Sequence, residues 1–325
     1  MQETKKYRKS LMMFVASLLV FFLAVCFLFF RAGSNQASLK ALIVLAYSLL
    51  GCIISIPLSL FMPKGKKLSY LFSSLFAGVV FALFLPIGVK EISVFISSFF
   101  MTILLFLLRL CFKKPVFHSI LFSLGLMYFI NPEGLTSHLD GKSVLTNIQA
   151  TPLSDLYQVR MLPFTEAVQA LDKDGISLWR LFIGDYFGSI GGGFVILLVI
   201  VMLFLTIYKS IKGSVSLVYL LSLYLSFFLC FLLHKEKMID NLTQSLQMIL
   251  FNDFVLASVV LADAEYIEKN TLSTYSLVLI TSGMTFVICY NVNSFLAILV
   301  STFLFDFLYP MFSSLHKKSI SIPLF

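Results

Sequence analysis

A chain of 325 residues that is 59% hydrophobic and 12% charged, with a mean hydropathy of +0.97, is not a water-soluble globule. Globular domains carry about 25% charged residues, and the apolar surface left over here would aggregate in water. The net charge of +8 does not point to nucleic acid either, because the basic residues stand in short clusters between apolar runs and form no single stripe.

Lys5, Lys6, Arg8 and Lys9 precede a first apolar run over 11–31. Its Leu23-Ala24-Val25-Cys26 superficially resembles a lipoprotein cleavage site, but Val25 is too bulky for that position and the run continues to Phe30, so an uncleaved helix is expected. Further runs cover 39–62, 69–89, 91–112 and 115–131, each of bilayer-spanning length or close to it. Pro86, in Leu83-Phe84-Leu85-Pro86-Ile87-Gly88, interrupts the third. Residues 132–193 are different, with four basic residues against seven acidic ones and the chain's single tryptophan, Trp179, and they read as a polar segment outside the hydrocarbon. Five more runs follow over 194–208, 214–233, 244–262, 273–290 and 293–312.

The expected fold is thus an all-α polytopic membrane protein of about ten transmembrane helices. Residues 1–131 form a first five-helix repeat, 132–193 a connecting segment, and 194–325 a second repeat. An odd number of spans per half inverts the second half relative to the first, as in transporter-like inverted repeats. Asp263, near the end of the eighth run, then answers Pro86 near the end of the third, and both are ion-pathway candidates. A plain proline kink and a helix-end acid is the simpler alternative. Lys and Arg cluster at the amino terminus, at Lys64, Lys66 and Lys67, at Arg109, Lys113 and Lys114, at Lys209 and Lys212, and at Lys317 and Lys318. By the positive-inside rule these are cytoplasmic, with both termini inside and 132–193 extracytoplasmic, in a cell membrane. The mostly acidic loop holding Asp263, Glu265, Glu268 and Lys269 is the exception.

Soluble-enzyme chemistry has no foothold, since the chain has no nucleophile triad, P-loop, zinc-ligand spacing or dinucleotide-binding glycine fingerprint. Cys26, Cys52, Cys111, Cys230 and Cys289 show no CxxC and no histidine at metal-ligand spacing, so neither a disulfide framework nor a metal centre is expected. The 36 phenylalanines are read as lipid-facing and helix-packing surface. Two polar stretches stand apart. Gly184-Asp185-Tyr186-Phe187-Gly188-Ser189-Ile190-Gly191-Gly192-Gly193 permits either a close backbone turn with an anion-facing helix start or a hinge. Ile148-Gln149-Ala150-Thr151-Pro152-Leu153 offers a threonine hydroxyl in what is otherwise a turn.

Taken in order, these pieces resemble the RnfD/NqrB family, the related membrane subunits of the Rnf-type electron transport complex and of the sodium-translocating NADH:quinone oxidoreductase. Leu75–Pro86 is similar to that family's third-helix pattern, Ala150-Thr151-Pro152-Leu153 to its flavin-attachment motif, and Trp179–Gly191 to its stretch closed by Gly-Ser-Ile-Gly. Residues 251–263 resemble the run into its Ala-Thr-Asp-Pro, and 293–312 its last helix. The chain departs from the pattern at Ile148-Gln149, Gly192, Ala264 and Lys113-Lys114-Pro115.

The resemblance implies a membrane subunit of an ion-coupled, flavin-dependent electron transport complex, one part of an oxidoreductase and not a complete enzyme. It would carry FMN in phosphoester linkage to Thr151, attached by an ApbE-type flavin transferase, with Ala150, Pro152, Gly188, Ser189 and Gly191 at the cofactor site. A second, non-covalent flavin is compatible with it. The other subunits and membrane lipid would be its partners, in the plasma membrane of a prokaryote. The same architecture also suits a small-solute channel or transporter, or an assembly subunit without cofactor.

Overall fold

A computed structural model describes residues 2–32, 35–63, 65–111, 116–132, 135, 164–173, 178–183, 189–191, 194–234, 238–263, 267 and 272–319. Among these the regular elements are all helical: α1 (Gln2–Ala32), α2 (Asn35–Cys52), α3 (Ser55–Leu60), α4 (Lys67–Phe84), α5 (Glu91–Cys111), α6 (Val116–Ile130), α7 (Phe164–Lys173), α8 (Leu178–Ile183), α9 (Val195–Ile207), α10 (Gly213–His234), α11 (Met238–Phe251), α12 (Phe254–Leu261), α13 (Leu272–Asn291) and α14 (Ser294–Ser319). In lipid every backbone N–H and C=O must be satisfied within the protein, and a helix does this without a partner.

All ten predicted runs contain a helix. Six stretches, within α1, α2–α3, α4, α5, α10 and α13, are long and apolar enough to cross a membrane, and α11 with α12 forms a bent pair that counts as a seventh. α6, α9 and α14 contribute shorter apolar stretches. The chain is a multi-pass membrane protein. One expectation is corrected here: the eighth run is not one helix, because α11 and α12 meet at 61° across Asn252-Asp253. Asp253 has φ 57° there, left-handed backbone that costs most L-residues but is tolerated by Asp and Asn.

The packing repeats. In the first half α1 and α2 each pack on α4, α2 on α5, α5 on α6, and α4 on α6. In the second half α9 and α10 pack on the α11–α12 pair, α10 on α13, α13 on α14, and α12 on α14, so these pairings of the first five runs recur in the last five. The halves meet through α1 against α9 and α6 against α14, where the Tyr128 and Phe295 rings stack at 5.9 Å. α7 and α8 sit apart from this frame, α7 against α13 and α8 against α9 and α11.

Small residues allow the closest crossings. A Cβ on Gly78 of α4 would lie 2.7 Å from Cys52 Sγ, so α2 and α4 approach as they do only because position 78 is glycine. At the basic end of the first half Arg109 runs from α5 to α4, donating to Ser73 Oγ at 2.7 Å and Ser69 Oγ at 3.4 Å. Ser69 in turn meets Ser10 of α1 at 3.3 Å.

Candidate functional site

Three breaks in helical backbone converge inside the bundle. The first is the end of α4. Proline disfavours helical geometry at the residue before it, and Leu85, preceding Pro86, is extended with ψ 147°. That ending would leave buried carbonyls of the last turn without partners. The second break supplies them: Ile190 N–H donates to Leu85 O and Gly191 N–H to Leu83 O, both at 2.9 Å. Gly191 must be glycine for this approach, since a Cβ there would lie 2.6 Å from Leu83 Cδ2. The third break is Asn252-Asp253, where Ser189 Oγ donates to Asp253 Oδ1 at 2.8 Å with both residues buried. A buried carboxyl group is tolerated only with hydrogen-bonding partners, and Ser189 is one of them.

A second junction uses the same device at the other end of α9. Lys209, with φ 57°, ends that helix, and Ser210 N–H bonds back to Leu205 O at 2.9 Å. The chain beyond is extended. Ile211 forms an antiparallel bridge with Asp263, and Lys212 N–H donates to Ala262 O at 2.7 Å. The flanks of α9 therefore satisfy the terminal carbonyls of α4 on one side and α12 on the other. Those are the ends of the third and eighth runs.

Pro86 and Asp263 thus stand at equivalent junctions but not together, separated by the 13 residues of α9, about 20 Å of helix. Asp263 is buried beside the chain that starts α10, at the end carrying Lys209 and Lys212. Ser189 and Gly191 meet at the α4 junction, where the Ser189 hydroxyl and the Ile190 and Gly191 N–H groups are engaged within the chain. Ala150, Thr151, Pro152 and Gly188 lie outside the described residues. The acid that sequence reasoning missed is Asp253. Its signal was available, since an ionisable residue inside an apolar run is a functional candidate in membrane. Asp306, buried in α14 within the last run, carries the same signal.

No curated protein matches the chain. A family model described as NQR2, RnfD, RnfE matches residues 2–320.

Proposed function

This chain belongs to the NQR2, RnfD, RnfE family, and from that membership we propose that it is the flavin-bearing membrane subunit of an Rnf- or Nqr-type electron transport complex, working with the other subunits of that complex. The observation that carries the proposal is the family match over 2–320, and Ala150-Thr151-Pro152-Leu153, which resembles the flavin-attachment motif, supports it. FMN bound through its phosphate to the Thr151 hydroxyl would accept and release electrons singly or in pairs, and the protein's part is to hold and tune it. An ApbE-type transferase makes the bond, in a prokaryotic plasma membrane with both termini inside and 132–193 outside.

Support for the sidedness comes from α7, which follows Thr151 in sequence. Its Phe164 packs on Phe227 and Phe231, far along α10 from Lys209 and Lys212 at the start of that helix. Ser189, Ile190 and Gly191 anchor the chain between the attachment stretch and α9, at the point where the connecting segment rejoins the helical frame. Pro86, at the end of α4, and Asp263, at the end of α12, are proposed to lie on the path of the coupled ion.

Expression with the native transferase, denaturation and in-gel flavin fluorescence test the assignment. The wild-type band is expected to fluoresce and the Thr151→Ala band to be dark. A dark wild-type band beside a bright flavinylated control removes the covalent flavin. A small-solute transporter is then favoured by the hydroxyl-rich interior of the second half, and saturable uptake into proteoliposomes tests it. Loss of both activities with redox subunits still co-purifying identifies an assembly subunit.

A further inference from the structure

The core of the second half changes character along its axis. The buried row of α10 reads Tyr219, Leu223, Phe227, Phe231 at four-residue spacing, so a hydroxyl, an aliphatic residue and two rings follow one another on one face. Around Tyr219 the interior is lined with hydroxyls. Its OH lies 3.1 Å from Thr285 Oγ1, Thr285 Oγ1 donates to Ser301 Oγ at 2.8 Å, and Ser282 Oγ donates to Ser222 Oγ at 2.6 Å. Ser216 Oγ reaches Ser258 O at 2.7 Å, and Thr302 and Asp306 are buried on the adjoining face of α14. These bonds link α10, α12, α13 and α14 through side chains that exchange partners readily with water.

Around Phe227 the interior is aromatic. Phe286 lies 5.3 Å from Phe227, Phe254 6.2 Å from it, and Tyr290 6.0 Å from Phe286. One ring in this layer comes from outside the transmembrane frame. Phe164, the first residue of α7, is buried and stacks on Phe227 at 5.7 Å with 6° between planes, and it lies 5.3 Å from Phe231 and 5.2 Å from Tyr290. Of the α7 residues that follow it, Ala167 and Val168 are buried and Thr165, Glu166 and Gln169 are exposed. α7 therefore delivers one ring between the far ends of α10 and α13.

We propose that α7 is a removable stopper: Phe164 closes the α7 end of a hydroxyl-lined seam through α10, α13 and α14, and withdrawing that ring admits water and small cations. The rings of Phe227, Phe231, Phe286 and Tyr290 are held by long helices packed on one another, whereas Phe164 is carried by a ten-residue helix. It is the part of the closure that moves at least cost to the bundle. This inference goes beyond the flavin reading and does not depend on it.

Cys289 supplies a native reporter. It is 2% exposed, adjacent in sequence to Tyr290 and one helical turn from Thr285, between the two layers. In the full chain with Cys26, Cys52, Cys111 and Cys230 replaced by Ala, solubilised in detergent so that both ends face the reagent, the rate of Cys289 modification by a cationic trimethylammonium methanethiosulfonate is measured. The reaction forms a mixed disulfide and releases methanesulfinate. Phe164→Ala is expected to accelerate it roughly tenfold or more, with Phe164→Trp remaining slow. Phe81→Ala, a fully buried truncation in α4 away from the seam, controls for general loosening. Equal rates for Phe164→Ala and the parent overturn the proposal, as does an equal acceleration by Phe81→Ala. If Phe164→Ala is not monodisperse, Phe164→Leu, which keeps apolar bulk without the planar stack, is expected to react faster than the parent, and a parental rate overturns the stopper.

Discussion

Ser189 and Asp253 show how much one hydrogen bond decides at the point where three chain breaks meet. The bond at 2.8 Å is buried, and Ser189→Ala leaves a buried carboxyl oxygen without this donor, so it is expected to cost about 1–3 kcal/mol, read as a lower melting temperature in detergent. Asp253 has two duties, accepting that bond and holding left-handed backbone. Asp253→Asn preserves both in part, whereas Asp253→Ala loses the acceptor and bears a backbone cost of about 1–2 kcal/mol. The Asn variant should therefore melt above the Ala variant, and identical melting would mean that neither duty matters. Ser189 and Gly191 were legible in the sequence as a polar, glycine-rich motif. Their partners were not, because Asp253 is 64 residues from Ser189 and no local pattern links them.

Among elements, α2 and α4 are set by what glycine leaves out. Gly78→Ala would bring a methyl group to 2.7 Å from Cys52 Sγ, and overpacking of this kind costs about 1–3 kcal/mol. Cys52→Ala makes room, so the double substitution should recover much of the loss. A melting experiment on the four proteins of that cycle measures the coupling, and additive losses would place the clash elsewhere. α4 ends where its proline says it should, at Phe84 before Leu85-Pro86. The break between α11 and α12 carries no proline or glycine and falls in an apolar run, so periodicity passed straight through it. α7 is held by the burial of Phe164, Ala167 and Val168, and one buried phenylalanine contributes about 1.5–3 kcal/mol. That is strong enough to dock a short helix and weak enough to be reversed by a conformational change elsewhere in a complex.

At the scale of the whole molecule, helices α1–α6 and helices α9–α14 each pack largely among themselves, and most neighbour pairs of the first group recur in the second. Contacts between the two groups include α1 with α9, α6 with α14, the Tyr128–Phe295 stack and the bonds from Ile190 and Gly191 to the end of α4. Residues 1–145 and 146–325, co-expressed as separate chains, are expected to co-purify, because all of those contacts survive the cut. Recovery of the second piece alone would show that continuity of the chain, and not the interface, holds the halves together. Gly191→Ala introduced into the second piece should weaken recovery of the first, since it strikes the backbone junction directly.

Apolar runs long enough for lipid, basic clusters at alternate ends and one proline at a helix end were sufficient to announce a helical multi-pass membrane protein, because in hydrocarbon the backbone has few alternatives. A handful of motifs in order were sufficient for its family. The sequence was silent on how the broken ends are satisfied. Leu83 and Leu85 find their donors at Ile190 and Gly191, Ala262 finds Lys212, and Asp253 finds Ser189. The recurrence of that arrangement at both ends of α9 came into view only in three dimensions. Hydrophobic periodicity reports which solvent a residue meets, while hydrogen bonds between chain breaks depend on which distant segments the packing of helices brings within about 3 Å of each other.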